Sequence, residues 1–161
     1  MNYSLQDFLY YNQVGYEQKD LNVMVSNVLQ AFCMKFPAIG YTQGMNFIAA
    51  FILCFVNQES AFWVLSNVIS NVLPLNFYGS IKQGIPLMGY QQEKFIISEL
   101  AKQILNIDEI TYTKVQIFMD INGPALLIPL LINYVSFQIL YETWNEMIMS
   151  QSVISFEYLG K

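Results

Sequence analysis

Side chains that commonly carry out chemistry are scarce in this sequence. The 161 residues contain no histidine and no arginine, and the seven cationic residues are lysines scattered along the chain. Without histidine, a zinc site or a histidine-based catalytic triad is excluded. Without clustered cations, the chain lacks the basic patch that nucleic-acid binding requires. We therefore expect no cofactor, no metal ion and no nucleic acid, which leaves protein binding as the main class of function.

One segment nevertheless combines an amide side chain with unusual backbone freedom. Tyr41, Gln43 and Gly44 fall within four consecutive residues. The Gln43 amide could orient a water molecule, or it could simply satisfy free backbone groups at a helix end. Gly44 could let the backbone of a partner approach closely, or it could relieve crowding within the turn. For Tyr41 we favour a packing role with a hydrogen-bonded hydroxyl over a contact with a partner.

Helical periodicity dominates the sequence around this segment. Apolar residues recur on one helical face over 21–36, and Pro37 and Gly40 end that helix. A nearly all-apolar helix over 43–56 is predicted to lie in the centre of the core. Further helices are predicted at 61–72, with Ser60 as N-cap, and at 91–105, 111–119, 125–133 and 137–149, with a long connection at 74–90 and a break at Gly123-Pro124. The sequence thus predicts an all-α single domain, an irregular bundle of about seven helices.

The composition contains more apolar side chains than one core of this size can bury. Apolar residues make up 55% and charged residues 12% of the chain, against about 45–50% and about 25% in a typical soluble domain. The expected result is a large exposed apolar patch, which marks protein or membrane contacts. The longest apolar run, 47–56, has about half the length of a membrane-spanning helix. Because no basic region precedes an apolar stretch at the N-terminus, we expect an intracellular, cytoplasmic protein, with Cys33 and Cys54 buried and reduced.

The segment from Gly40 to Ala50, Gly-Tyr-Thr-Gln-Gly-Met-Asn-Phe-Ile-Ala-Ala, resembles the Tyr-x-Gln-Gly-Met signature of TBC domains, the GTPase-activating domains that act on Rab proteins. Upstream, 28–32 is similar to the family's Val-Leu-x-Ala-aromatic helix, and downstream 59–65 is similar to its acidic-x-Ala-Phe-Trp helix start. The resemblance is strong over 18–72 and weaker over 1–17 and 73–161. It implies that 1–161 is a single partial TBC-like domain, shortened at both ends.

In TBC domains two side chains reach into the nucleotide site of the GTPase: an arginine from an Ile-x-x-Asp-x-x-Arg motif and the glutamine of Tyr-x-Gln-Gly. The resemblance makes Gln43 the candidate catalytic residue, which orients water, and adds Tyr41 and Gly44 to the partner-binding surface. Family spacing puts Asp7 in the place of the motif aspartate and Tyr10 in that of the arginine, so both join the candidate partner-binding residues. The arginine contributes about 10³–10⁵ in rate, and lysine lacks its planar fork. Catalysis by two residues of this chain alone is therefore not expected.

Three functions remain open. The favoured one is a pseudo-GAP or scaffold that keeps the fold and binds protein partners, among them a Rab-type small GTPase. The second is an active Rab GTPase-activating protein that uses Gln43 together with an arginine from another chain. The third is a fixed structural subunit of a large cytoskeletal, ciliary or membrane-associated assembly, since obligate interfaces are rich in apolar residues.

Overall fold

The computed structural model describes residues 18–80 and 85–150, and six α-helices account for most of them. Two short antiparallel strands, β1 (Gly79–Ser80) and β2 (Ile85–Pro86), lie within the predicted long connection. The all-α class is confirmed, and six helices take the place of the predicted seven or so. The helices are α1 (Gln18–Lys35), α2 (Met45–Leu53), α3 (Gln58–Asn67), α4 (Met88–Leu105), α5 (Glu109–Leu127) and α6 (Phe137–Ser150).

Helices α1, α2 and α3 pack against one another and form the centre of the core. On α1, Met24, Val28 and Phe32 are buried at four-residue intervals, as the predicted apolar face requires. Helix α2 is apolar on nearly all sides because it packs against both α1 and α3, and its residues Ile48 and Ala49 are inaccessible to solvent. The predicted central position of α2 is confirmed.

The start of α3 differs from the prediction. Asn57 is the N-cap, and its side-chain oxygen accepts a hydrogen bond from the Ser60 backbone N–H at 2.9 Å. Ser60 therefore lies inside the helix, and its prediction as the cap is wrong. Asparagine caps helices as well as serine does, and Asn57 has the extended backbone that brings its side chain over the first turn. Beyond Asn67 the chain continues through a π-helical stretch, Val68–Val72.

Helix α5 runs through Gly123-Pro124, where the sequence predicts a break. Pro124 lies in the last turn before Leu127, so the proline costs one intrahelical hydrogen bond while its fixed φ suits the helix. The predicted separate helices at 111–119 and 125–133 are therefore wrong. A single helix covers the first range and part of the second, and the residues that follow it form turns.

Packing between α4 and α5 explains why residue 123 is a glycine. A Cβ at Gly123 would lie 2.9 Å from the Tyr90 hydroxyl oxygen, so the glycine lets the buried ring of α4 approach α5 closely. The Lys94 Nζ–Asp120 Oδ1 ion pair, 2.6 Å long, joins the same two helices at the surface. Gly123 therefore serves helix packing rather than helix termination.

Aromatic rings anchor α6 to α2. Phe51 of α2 lies 4.9 Å from Trp144 and 5.8 Å from Phe137, measured between ring centroids. Phe55, just beyond α2, adds contacts with Phe137 at 6.0 Å and with Tyr141 at 5.9 Å. Trp144 is buried, so its ring anchors α6 in the core. Such ring pairs stabilise packing by about 0.5–1.5 kcal/mol beyond the area they bury.

Both cysteines are free, and Cys33 and Cys54 are half-buried where the sequence predicted buried side chains. The Cys54 thiol donates a hydrogen bond to the carbonyl of Ala50, 3.2 Å away on the preceding turn of α2. Burial raises the pKa of Cys54 to about 11 and also raises the pKa of Cys33. Both thiols therefore stay protonated at neutral pH.

The excess of apolar residues appears on the outer faces of α4 and α5. These faces lie opposite the buried Ser98 and Tyr112, as the rotation of about 100° per residue places them. Across the described ranges, no helix combines the length and the apolar character needed to cross a bilayer. The exposed apolar side chains on these two faces include Ile96, Leu100 and Ile104 on α4 and Ile110, Ile117 and Ile121 on α5.

Candidate functional site

The turn between α1 and α2 carries the Tyr-x-Gln-Gly motif. At the end of α1, the Phe36 carbonyl accepts hydrogen bonds from the N–H groups of Ile39 and Gly40, each 3.0 Å long. Gly40 has a φ of 68°, in the left-handed region that glycine enters without steric cost. This closure ends α1 and turns the chain towards the start of α2.

A second glycine begins α2. Gly44 is its N-cap, with a φ of 112° and a ψ of −27°, a conformation that residues with a Cβ rarely adopt. The Gly44 N–H donates to Asn46 Oδ1 at 3.2 Å, and the Tyr41 hydroxyl donates to the same oxygen at 3.3 Å. The Asn46 side chain therefore ties both ends of the motif to the first turn of α2.

Gln43 is exposed on this turn, as is Tyr41 two residues before it. The residues after it, Gly44 and Met45, are buried, and the Met45 N–H donates to the Thr42 carbonyl at 3.1 Å. The Gln43 amide is thus exposed on a stretch of backbone that its buried neighbours hold in place. No acidic residue stands in the first turn of α2, so the partial positive charge of this helix end is not neutralised from within that turn. The arrangement can hydrogen-bond a water molecule or a polar group of a partner.

The buried side of the motif rests on the turn that follows α5. A Cβ on Gly44 would lie 2.8 Å from Ile128 Cγ2 and 3.5 Å from the Pro129 backbone nitrogen. Side chains do not approach one another this closely, so only glycine fits at position 44 unless its neighbours move. Ile128 and Pro129 therefore form the support under the turn that presents Gln43.

Two buried donors hold that supporting segment in an uncommon conformation. Leu130 and Leu131 have φ values of 51° and 67°, and a left-handed residue with a Cβ costs roughly 1–2 kcal/mol. The Tyr78 hydroxyl donates to the Ile128 carbonyl at 2.8 Å, and Trp144 Nε1 donates to the Leu130 carbonyl at 3.3 Å. Burial raises the pKa of Tyr78, which keeps its hydroxyl protonated as a donor. We call 128–131 the support turn.

The structure brings three of the predicted site residues together. Tyr41, Gln43 and Gly44 lie on one turn, whereas Asp7 and Tyr10 lie outside the described residues. The Tyr41 hydroxyl is hydrogen-bonded, as predicted, but the predicted packing role is wrong because the residue is 53% exposed. Half of the ring surface of Tyr41 is therefore open to a partner beside the Gln43 amide.

Sequence reasoning missed the residues that fix the motif in place. Asn46 is a polar residue in the first turn of an otherwise apolar helix, and that contrast is a signal that could have found it. Tyr78 and Ile128 gave no such signal, since they meet the motif only through tertiary packing. The missed residues hold the motif in place, whereas Tyr41 and Gln43, two of the predicted residues, are exposed to solvent.

Most of the cationic side chains that the structure describes are already engaged. Three of the four lysines whose side chains the structure describes have partners: Lys35 lies 4.3 Å from the Trp63 ring centroid, Lys94 is 2.6 Å from Asp120 and Lys102 is 2.6 Å from Glu109. Within the same described part of the chain, no three cysteine, aspartate or glutamate residues are placed to hold a metal ion. The chemistry of the site thus rests on an amide and on backbone groups.

Known protein families provide an independent comparison. The profile of the Rab-GTPase-TBC domain family matches residues 6–158. This chain belongs to that family. The family assignment made from the Tyr41–Met45 motif and its flanking helices is therefore confirmed, and the match extends over the regions in which the motifs are weaker.

Individual relatives match about half of the chain or less. The human Small G protein signaling modulator 3 is 35% identical over 78 residues, which are 48% of this chain and 10% of the relative. TBC1 domain family member 2B of Xenopus tropicalis is 34% identical over 79 residues, 49% of this chain and 8% of the relative. The GTPase-activating protein GYP3 of Saccharomyces cerevisiae is 42% identical over 66 residues, 38% of this chain and 10% of the relative. The chain spans about a tenth of the length of these curated relatives, and no solved structure matches it.

Proposed function

We propose that this TBC domain binds a Rab-type small GTPase through the turn that carries Gln43, and that it acts as a pseudo-GAP or scaffold rather than as an autonomous catalyst. Membership of the Rab-GTPase-TBC family supports a small GTPase as the partner. The name of one relative, the GTPase-activating protein GYP3, supports the same class of partner. We propose a cytoplasmic location, in which the protein is bound to a GTPase or forms part of a larger assembly.

The observation that carries the proposal is the exposure of Gln43 on a turn whose other side is buried. In GTPase reactions a glutamine amide orients the attacking water. Here the amide is exposed, while Gly44 behind it is buried against Ile128. Tyr41 adds a half-exposed aromatic ring, a residue type enriched in protein interfaces. Together these groups form a contact surface that is held in one conformation before a partner arrives.

The composition supports binding without autonomous catalysis. The chain contains no arginine, so it cannot contribute a guanidinium to the charge that develops on the phosphoryl oxygens. That contribution is worth about 10³–10⁵ in rate. A lysine would act only as a point charge and lacks the planar fork. The Gln43 amide alone would orient water without neutralising the transition state.

Binding tests the partner directly. Each member of a panel of Rab GTPases, loaded with a non-hydrolysable GTP analogue, is titrated with the 161-residue chain in a calorimeter. We expect at least one Rab to bind, and Gln43→Ala to weaken its affinity about 2–10-fold, the worth of one interface hydrogen bond. Gln103→Ala, an exposed glutamine on α4, is the matched control and should leave the affinity unchanged. Failure of every Rab to bind would remove the proposed partner class.

Hydrolysis separates the proposal from the active alternative, in which another chain supplies an arginine. Single-turnover GTP hydrolysis by the bound Rab is measured with the wild-type chain and with Gln43→Ala. The proposal expects no acceleration beyond the intrinsic rate by either chain alone. Acceleration that appears with a second, arginine-bearing chain and disappears with Gln43→Ala would instead support the active alternative. Equal rates for both chains under that condition would eliminate it.

A structural subunit remains the second candidate because of the exposed apolar faces of α4 and α5. Ile96, Leu100 and Ile104 form one exposed stripe, and Ile110, Ile117 and Ile121 form another. Residues of this type are buried in obligate interfaces. Sedimentation velocity of the isolated chain tests this candidate: large assemblies or insolubility would support it, and a soluble monomer would argue against it.

A further inference from the structure

The support turn 128–131 has a consequence for the proposed site. Gly44 is the residue after Gln43, and the space where a Cβ would stand is filled by Ile128 Cγ2 at 2.8 Å. Any movement of Ile128 therefore changes the room available to Gly44. Because Gly44 shares a peptide bond with Gln43, a shift of Gly44 would also shift the backbone that carries the exposed amide.

Ile128 is in turn held by a single buried side-chain donor. It is the C-cap residue of α5, where carbonyl groups have no partner within the helix. The Tyr78 hydroxyl supplies that partner at 2.8 Å, across 50 residues of sequence, and both groups are buried. Leu130, two residues further on, receives the second long-range donor, Trp144 Nε1 at 3.3 Å.

The conformation of the turn makes these two donors necessary. Leu130 and Leu131 are both left-handed, a state that leucine does not prefer and that local bonds alone seldom stabilise. Backbone bonds close the turn from within, with the Leu131 N–H donating to the Leu126 carbonyl at 2.9 Å. The bonds from Tyr78 and Trp144 tie it to the rest of the fold, on one side next to β1 and on the other to α6.

We propose that Tyr78 is a positioning residue for Gln43: its hydroxyl fixes the Ile128 carbonyl, and Ile128 fixes the turn at Gly44. Trp144 supports the same turn through Leu130. The inference rests on the proposed function for its role in GTPase binding, but the contacts on which the link from Tyr78 to Gly44 is argued are present in the free domain. Neither Tyr78 nor Trp144 touches the partner in this scheme.

The first test uses the free chain and the conservative change Tyr78→Phe, which keeps the ring and removes the hydroxyl. Hydrogen exchange of backbone amides is followed by NMR. The Gly44 amide, which donates to Asn46, should exchange about 5–10-fold faster, the effect of losing one buried hydrogen bond that supports it. The Val28 amide of α1 is the internal reference and should keep its exchange rate. Unchanged exchange at Gly44 would overturn the link, and equal acceleration at Val28 would show global destabilisation instead.

Two further variants keep the first test decisive. Tyr112→Phe removes a hydroxyl from the α4–α5 pair and should leave the Gly44 amide unaffected. If Tyr78→Phe does not fold, Trp144→Phe removes the second donor to the support turn and should likewise accelerate exchange at Gly44. Acceleration by Tyr112→Phe equal to that of Tyr78→Phe would contradict the proposed route.

The second test asks whether Tyr78 acts on binding through Gln43. Affinity for the Rab GTPase loaded with the GTP analogue is measured for Tyr78→Phe, Gln43→Ala and the double variant. Tyr78→Phe should weaken binding about 2–5-fold in the wild-type background and not at all when Gln43 is alanine. An equal loss in both backgrounds would overturn the positioning role. If no Rab binds, the proposed function fails, while the exchange test still decides the link from Tyr78 to Gly44.

Discussion

Replacing Gly44 by alanine tests the packing on which the site depends. Alanine adds only a Cβ, and that atom would lie 2.8 Å from Ile128 Cγ2. It also places a residue with a side chain at a φ of 112°. The variant therefore combines backbone strain with steric overlap, and both act on the turn that carries Gln43.

The expected loss of stability follows from three contributions. A left-handed residue with a Cβ costs about 1–2 kcal/mol, and overlap in a packed interior costs about 1–3 kcal/mol. Against these, alanine restricts the unfolded chain and returns about 0.4–1 kcal/mol. We expect Gly44→Ala to lower the free energy of unfolding by about 3 kcal/mol, within a range of about 1–4.5 kcal/mol, out of a total of about 5–15 kcal/mol for a domain.

Urea unfolding followed by tryptophan fluorescence measures this loss. Trp144 is buried and bonded to the support turn, so its emission reports on the unfolding of this part of the core. With a loss of about 3 kcal/mol and a slope of about 1–3 kcal/mol per molar urea, the midpoint should fall by about 1–3 M. Binding of the Rab GTPase should weaken in the same variant because the Gln43 turn is displaced.

Two controls separate the contributions. Gly40→Ala places a side chain at a positive φ of 68°, inside the left-handed region, and reports the backbone cost of that region. Ile128→Ala removes Cγ2. In the double variant Gly44→Ala/Ile128→Ala, the loss of unfolding free energy should therefore be about 1–3 kcal/mol smaller than the sum of the two single losses. A loss for Gly44→Ala no larger than that for Gly40→Ala, together with additive behaviour in the double variant, would refute the packing argument.

Three other predictions follow from the fold. Asn57→Ala should lower the unfolding free energy by about 1 kcal/mol, whereas Ser60→Ala should change it by less than about 0.5 kcal/mol; equal losses in urea unfolding would contradict the assigned cap. Alkylation of native Cys54 by iodoacetamide, measured by mass spectrometry, should keep rising about tenfold per pH unit up to about 11, and a plateau near 9 would argue against its raised pKa. Since the unfolded thiol ionises first, near pH 9, this residue's contribution to stability should fall as the pH rises from about 9 to about 11. Asp120→Asn should cost less than about 1 kcal/mol, and less again in 1 M salt, because its ion pair with Lys94 is largely exposed; a larger, salt-independent loss in thermal unfolding would contradict this.

Local patterns in the sequence predicted α1 and α2 well because they depend on neighbouring residues. The apolar face of α1 follows from a spacing of three and four residues, and Pro37 and Gly40 mark its end. Helix α2 begins at Met45, two residues later than predicted, because Gly44 adopts a positive φ that excludes it from the helix. The motif itself was visible in the sequence, so its place between α1 and α2 was predictable.

Errors arose where a local signal had more than one structural use. The Gly123-Pro124 pair is typical of a helix break, but Gly123 makes room for Tyr90 and Pro124 fits the last turn of α5. At the start of α3, Asn57 and Ser60 are both good caps, and only the position of the first helical turn selects Asn57. The periodicity of the neighbouring helices does not distinguish these cases.

By itself the sequence determined the all-α class, the family and the place of Gln43 at a helix start, because helix periodicity, caps and a short motif are properties of adjacent residues. Only the tertiary structure decided what holds Gln43 in place. Ile128 meets Gly44, and Tyr78 meets Ile128 across 50 residues of sequence, through contacts that no local pattern encodes. The physical reason is that the support turn contains two left-handed leucines, a conformation that costs free energy, and buried donors from distant elements stabilise it through the carbonyls of Ile128 and Leu130.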